Sequence, residues 1–149
     1  MTLRRMSPPL LAFLLAACGA FSEDEVARVI SPGGAVEAVL VETNGGATTP
    51  FGYYVALAAP GAGWRESRTV ATLYGAGRNE QPAGANLRWL SPHSLAVEYL
   101  RAREAVLVAR EVEIAGTVYR IQLREGVTDT NAPPGGMLHN LNISRRDAR

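Results

Sequence analysis

The sequence predicts an all-β protein: a single antiparallel, sheet-rich domain of about seven strands, built as a small sandwich or an open barrel. Three observations lead there. Short runs rich in β-branched and aromatic residues recur along the chain. Glycine and proline clusters punctuate them at strand-like intervals. No run of helical periodicity alternates with them, which argues against a parallel α/β sheet.

The elements follow in order. Residues 36–43 (VEAVLVET) emerge from the turn cluster Ser31-Pro32-Gly33-Gly34. Residues 51–58 (FGYYVALA) lie between Pro50 and Pro60-Gly61, and residues 69–74 (TVATLY) end at Gly75-Ala76-Gly77. Residues 86–90 (NLRWL) stop at Ser91-Pro92, and residues 95–99 (LAVEY) alternate. The stretch 100–113 fits a helical face or a strand. Its β-branched content favours a strand over residues 106–114. Residues 118–124 (VYRIQLR) alternate cleanly, with Tyr119, Ile121 and Leu123 on one face. A turn at Ala115-Gly116 sets Val112 opposite Tyr119, Val108 opposite Leu123 and Glu111 opposite Arg120. That register separates an apolar face from a charge-paired face, and a one-residue slip would mix them. Ala-Gly is not a preferred pair for a tight turn, so a four-residue loop in the same register is the alternative.

The N-terminus is of another kind. Arg4 and Arg5 precede the apolar run 10–17 (LLAFLLAA), and small residues lead into Cys18-Gly19. This is the layout of a secretory signal, since a spanning helix needs about 20 apolar residues. The run Leu15-Ala16-Ala17-Cys18 resembles the lipobox of bacterial lipoproteins. The resemblance implies cleavage before Cys18, acylation of Cys18, and membrane attachment through the lipid. Gly19, where Asp commonly marks inner-membrane retention, implies the periplasmic face of the outer membrane. Cleavage after Ala20, giving a soluble periplasmic chain, is the alternative. The expected organisation is a signal peptide at 1–17, a lipidated tether at 18–25, a β-domain at 26–125 and a polar, partly disordered tail at 126–149.

Composition narrows the functions. The 149 residues carry 47% hydrophobic side chains, enough for one domain with a real core. Without Arg4 and Arg5, thirteen basic residues face fourteen acidic ones. A near-neutral chain with interspersed signs has no electrostatic footprint for nucleic acid. All the basic residues are arginine, so mechanisms that need a lysine are excluded. Cys18 is the only cysteine, which leaves no internal disulfide and, once lipidated, no thiol nucleophile. His93 and His139 lack a second ligand at metal-binding spacing, and no cofactor motif is present. A dispersed carboxylate pair of the glycosidase kind is the one catalytic option left open.

The loop from Asn44 to Tyr53 is the most distinctive local feature. Asn44, Gly45, Gly46, Thr48 and Thr49 are the candidate binding residues. Glycine permits backbone N–H groups to point outward, and adjacent hydroxyls add donors, as in an anion- or peptide-binding nest. The alternative is a wide turn whose threonines satisfy the loop's own backbone. Ser31-Pro32-Gly33-Gly34 followed by Gly46-Ala47-Thr48-Thr49 resembles a group of small, uncharacterised bacterial envelope proteins. Members often have Asp where this chain has Gly33, and Cys where it has Gly45 or Gly46. That resemblance brings no activity with it. The strand–turn unit also resembles those of β-propellers, for which the chain is too short. The expected function is a non-enzymatic, membrane-anchored envelope module that binds a protein or an envelope component. A small-ligand module using the threonine loop is the second reading, and a hydrolase the third.

Overall fold

A computed structural model describes residues 21–132. Nine strands form two sheets: β1 (Ser22–Ile30), β2 (Glu37–Asn44), β3 (Gly52–Ala58), β4 (Arg68–Tyr74), β5 (Asn86–Ser91), β6 (Ser94–Tyr99), β7 (Glu104–Leu107), β8 (Glu111–Ile114) and β9 (Thr117–Glu125). The order is β1-β2-β3-β4-β7 in one sheet and β5-β6-β9-β8 in the other. The all-β expectation holds, in its sandwich form, with nine strands rather than seven. Pairing is antiparallel throughout except between β6 and β9, which run parallel. That exception follows from the route of the chain. After β6 it leaves for the first sheet as β7, and it returns as the β8–β9 hairpin.

Alternation puts Ala38 and Leu40 of β2, Tyr53, Val55 and Leu57 of β3, and Leu73 of β4 into the space between the sheets. Leu95, Val97 and Tyr99 of β6 meet them, with Val112, Tyr119 and Ile121 of β8 and β9. β2 is buried on both faces. Its outward Val39 and Val41 form a second cluster with Ala58, under Tyr54, Ala62 and Trp64. Arg28 fastens that cover. Its guanidinium donates to both carboxylate oxygens of Glu25 (2.8 and 2.9 Å), to Glu37, and to the Ala62 carbonyl oxygen at 3.3 Å. One arginine thus pins the β3–β4 loop across β1 and β2.

Three expectations are corrected. Residues 22–25, read as tether, belong to β1, where Glu23, Asp24 and Glu25 pair with Thr43, Glu42 and Val41. Their acidic composition hid the strand, because an edge strand tolerates charges that a central one does not. The single strand expected at 106–114 is two strands in different sheets. The N–H groups of Val108 and Ala109 both donate to the Val70 carbonyl at the crossing. Val108 is therefore 55% exposed and does not face Leu123. Finally, the start of the supposed tail is part of the domain: Gly126 and Val127 donate to the carbonyls of Leu100 and Tyr99. The last ten residues, expected to be loose, lie outside the described residues, as do the signal region and His139.

The hairpin register is as expected, with Val112 opposite Tyr119 and Glu111 opposite Arg120. Its loop is the tight two-residue form. Ala115 has φ 49° and Gly116 φ 77°, as such a turn requires at both positions. The Ser31 cluster is also explained. Its buried hydroxyl accepts from the Val36 N–H at 3.2 Å, and Gly34 takes φ 72°. Nothing lies within 4 Å of where a Cβ on Gly33 would be, so an aspartate fits there.

Candidate functional site

Two edge strands, β1 and β5, face each other across the open side of the sandwich. Trp89 of β5 bridges them, its indole N–H donating to the Val29 carbonyl at 3.1 Å. Beside this bridge lies a cleft of about 320 Å³. Ala27 and Val29 of β1 and Ala85 and Leu87 make its apolar wall, while Arg78, Asn86, Arg88, Glu98 and Asp129 make its polar one.

The polar wall is assembled from parts distant in sequence. Arg78 follows β4, and its Nη2 donates to Asp129 Oδ2 at 2.5 Å. The Asp129 N–H donates to the Arg78 carbonyl at 2.8 Å, and Asn79 Nδ2 donates to the Asp129 carbonyl at 3.1 Å. These bonds hold the guanidinium in one orientation. Its Nε–H is buried, and so is the Asn86 side-chain oxygen; neither has a partner among the described residues. One donor and one acceptor thus lie unpaired just beneath the surface, on two side chains that line the same cleft. A buried unpaired polar group costs about 1–3 kcal/mol, so a water or ligand group that reached these two atoms from the cleft would be stabilising. A ligand group that both accepts and donates, such as an amide or a hydroxyl, has the matching chemistry.

Glu98 fixes the outer rim. Its side chain is only 6% exposed and lies between Arg88 and Arg124. Arg88 Nε donates to both carboxylate oxygens at 3.1 Å and Nη2 to one at 2.5 Å; Arg124 Nη1 adds a bond of 2.8 Å. The Arg88 hydrogen bonds hold the Glu98 carboxyl below the usual carboxylate range, against the opposing effect of burial. The native form therefore binds its proton less readily than the unfolded chain. The stabilisation is complete above the unfolded value of about 4.3 and is lost as pH falls through the native one. Glu98→Gln is expected to flatten the acid limb of stability against pH, and urea denaturation from pH 7 down to pH 3 checks it.

Deeper in, the Tyr53 hydroxyl donates to Glu42 Oε2 at 2.9 Å, with both residues buried. Burial and the Glu42 charge push the phenol well above its ordinary range, so it stays a protonated donor. The Arg78 charge acts on the same phenol in the opposite sense.

The loop singled out in the sequence does not line this cleft. The Gly46 N–H donates to Asn44 Oδ1 at 2.9 Å. Both the Thr49 N–H and its hydroxyl donate to the Gly46 carbonyl, at 3.2 and 3.1 Å. Asn44, Gly46 and Thr49 thus satisfy one another, the arrangement of a wide turn. A Cβ on Gly45 would stand 2.9 Å from Thr49 Oγ1, so a side chain there would require the threonine hydroxyl to turn away. Gly46 has φ 104°. Gly46→Ala is expected to lower stability by about 1 kcal/mol or more through backbone strain. Thr48, exposed and outside these bonds, is expected to tolerate Ala with no change. Thermal midpoints of the two variants make the comparison. Cys18 lies outside the described residues. His93 packs edge-on against Tyr119, with ring centroids 5.6 Å apart.

The chain is thus a two-sheet β-sandwich with a polar cleft between its open edges. No family model matches it, and no curated protein and no solved structure is found similar to it. No short-range sequence signal marks the cleft, since Arg78 and Asp129 are 51 positions apart.

Proposed function

We propose that this is a lipid-anchored bacterial envelope protein whose sandwich acts by binding, with the β1–β5 cleft as its ligand site. The observation that carries the binding reading is a pair of buried, unpartnered groups, Arg78 Nε–H and Asn86 Oδ1, on two side chains that line one cleft. The address rests on Leu15-Ala16-Ala17-Cys18 behind Arg4 and Arg5. The carboxylates at the rim favour binding over chemistry. Glu98 and Asp129 are each tied to arginine, so neither is poised to take a proton from a substrate. A ligand with adjacent donor and acceptor fits the cleft better than it fits the threonine loop, whose donors at Gly46 and Thr49 are engaged within the loop.

The test is an NMR titration of the lipidated chain in detergent micelles, with acetamide as the amide probe and glycerol as the hydroxyl probe. The expected result is a saturable shift of the Asn86 side-chain amide and of the Ala27, Val29 and Leu87 backbone signals. Saturating either probe with the cleft signals unmoved, and shifts elsewhere or nowhere, would overturn the cleft as the site.

A further inference from the structure

Strand register gathers four chain segments at one pole of the sandwich. Ser22 at the start of β1 pairs with Asn44 at the end of β2. Gly52 at the start of β3 pairs with Tyr74 at the end of β4. Tyr74 pairs in turn with Glu104 at the start of β7. The pole therefore carries Phe21, the 44–51 loop, Tyr74 and the segment before β7. Phe21 is 65% exposed and Tyr74 39%. An apolar-floored pocket of about 360 Å³ opens here, lined by Pro50, Phe51, Ala76 and Ala102, with Arg101 and Arg103 at its side.

Resting on the reading of Cys18 as the lipid anchor, we infer that this pole docks on the phospholipid headgroup layer of the anchoring membrane. Phe21 is three positions from Cys18, a reach of at most about 11 Å even when fully extended. The anchor therefore keeps this pole within reach of the bilayer, and its exposed side chains decide whether it seats there. Exposed aromatic rings are suited to the interface, where an apolar body meets a polar boundary. Both arginines present guanidinium groups that match lipid phosphates. The Arg101 guanidinium pairs with Glu80 at 3.0 Å, an exposed contact that a phosphate can replace. Glu23, Asp24 and Glu104 stand on the strand ends at the same pole and offset the arginines. Docking then depends on aromatic insertion more than on net charge, and is expected to change little between zwitterionic and anionic lipid.

The test uses the full lipidated chain, whose Cys18 sulfur is blocked as the thioether to the lipid, so that an introduced cysteine is the only reactive thiol. A fluorophore is placed at Thr48→Cys in the pole loop, or at Gly63→Cys in the β3–β4 loop at the far end, where a Cβ meets open space. The vesicles are phosphatidylcholine with a small fraction of headgroup-quencher lipid, alone or mixed with phosphatidylglycerol. The expected result is strong quenching at position 48, little at 63, and loss of that contrast when Phe21→Ser and Tyr74→Ser are combined. Equal quenching at both positions in a chain whose mass shows acylation overturns the docking face and leaves the anchor reading intact. A contrast that survives the double variant overturns the aromatic assignment. A chain with no acyl mass on Cys18 overturns the anchor reading, and the docking inference with it.

Discussion

Leu40→Ala is expected to destabilise the domain by about 2–5 kcal/mol, a large share of the 5–15 kcal/mol that holds a typical domain folded. Leu40 is fully buried, on the inner face of β2. That strand pairs on both sides, with β1 and β3, and its outer residues Val39 and Val41 are buried as well. A backbone so constrained cannot collapse around the missing atoms, which places the loss toward the cavity-forming end of the range. Val106→Ala is the control. Val106 is 43% exposed on the edge strand β7, and its truncation is expected to cost no more than about 0.5 kcal/mol. Urea midpoints at unchanged slope measure both.

Asn86→Leu is expected to separate stability from binding. Leucine keeps the branched outline of asparagine and removes the unpartnered buried oxygen. The thermal midpoint is expected to hold or rise, because the desolvation cost of that oxygen disappears. The acetamide-dependent shifts at Ala27, Val29 and Leu87 are expected to vanish together. A lowered midpoint with binding intact would make Asn86 a structural residue and remove the main support for the cleft. Retaining an unpaired group that lowers stability is what a site shaped for a ligand is expected to show.

Much of the fold was legible because alternation and turn chemistry act locally. The β8–β9 register follows from its two-faced pattern, since only one alignment buries Val112 with Tyr119 and pairs Glu111 with Arg120, now seen at 3.0 Å. The errors arose where tertiary context decides. β1 begins with Ser22-Glu23-Asp24-Glu25, which has no strand signal of its own and is held by pairing with β2. The break at Val108–Ala109 carries no glycine or proline, because the two N–H groups turn onto Val70 instead. The cleft was illegible for a different reason. Its polar wall joins the segments after β4 and after β9 to the start of β5, and only the closed sandwich brings these together. The glycine-threonine loop drew attention through its composition, which reports on its own turn geometry.

Attachment of the domain to the envelope through Cys18 is decided by the mass of the N-terminal tryptic peptide. Trypsin cuts after Arg28, so the expected peptide runs from Cys18 to Arg28 and carries three acyl chains. An unmodified peptide beginning at Phe21, or a chain that keeps the residues before Cys18, would contradict it.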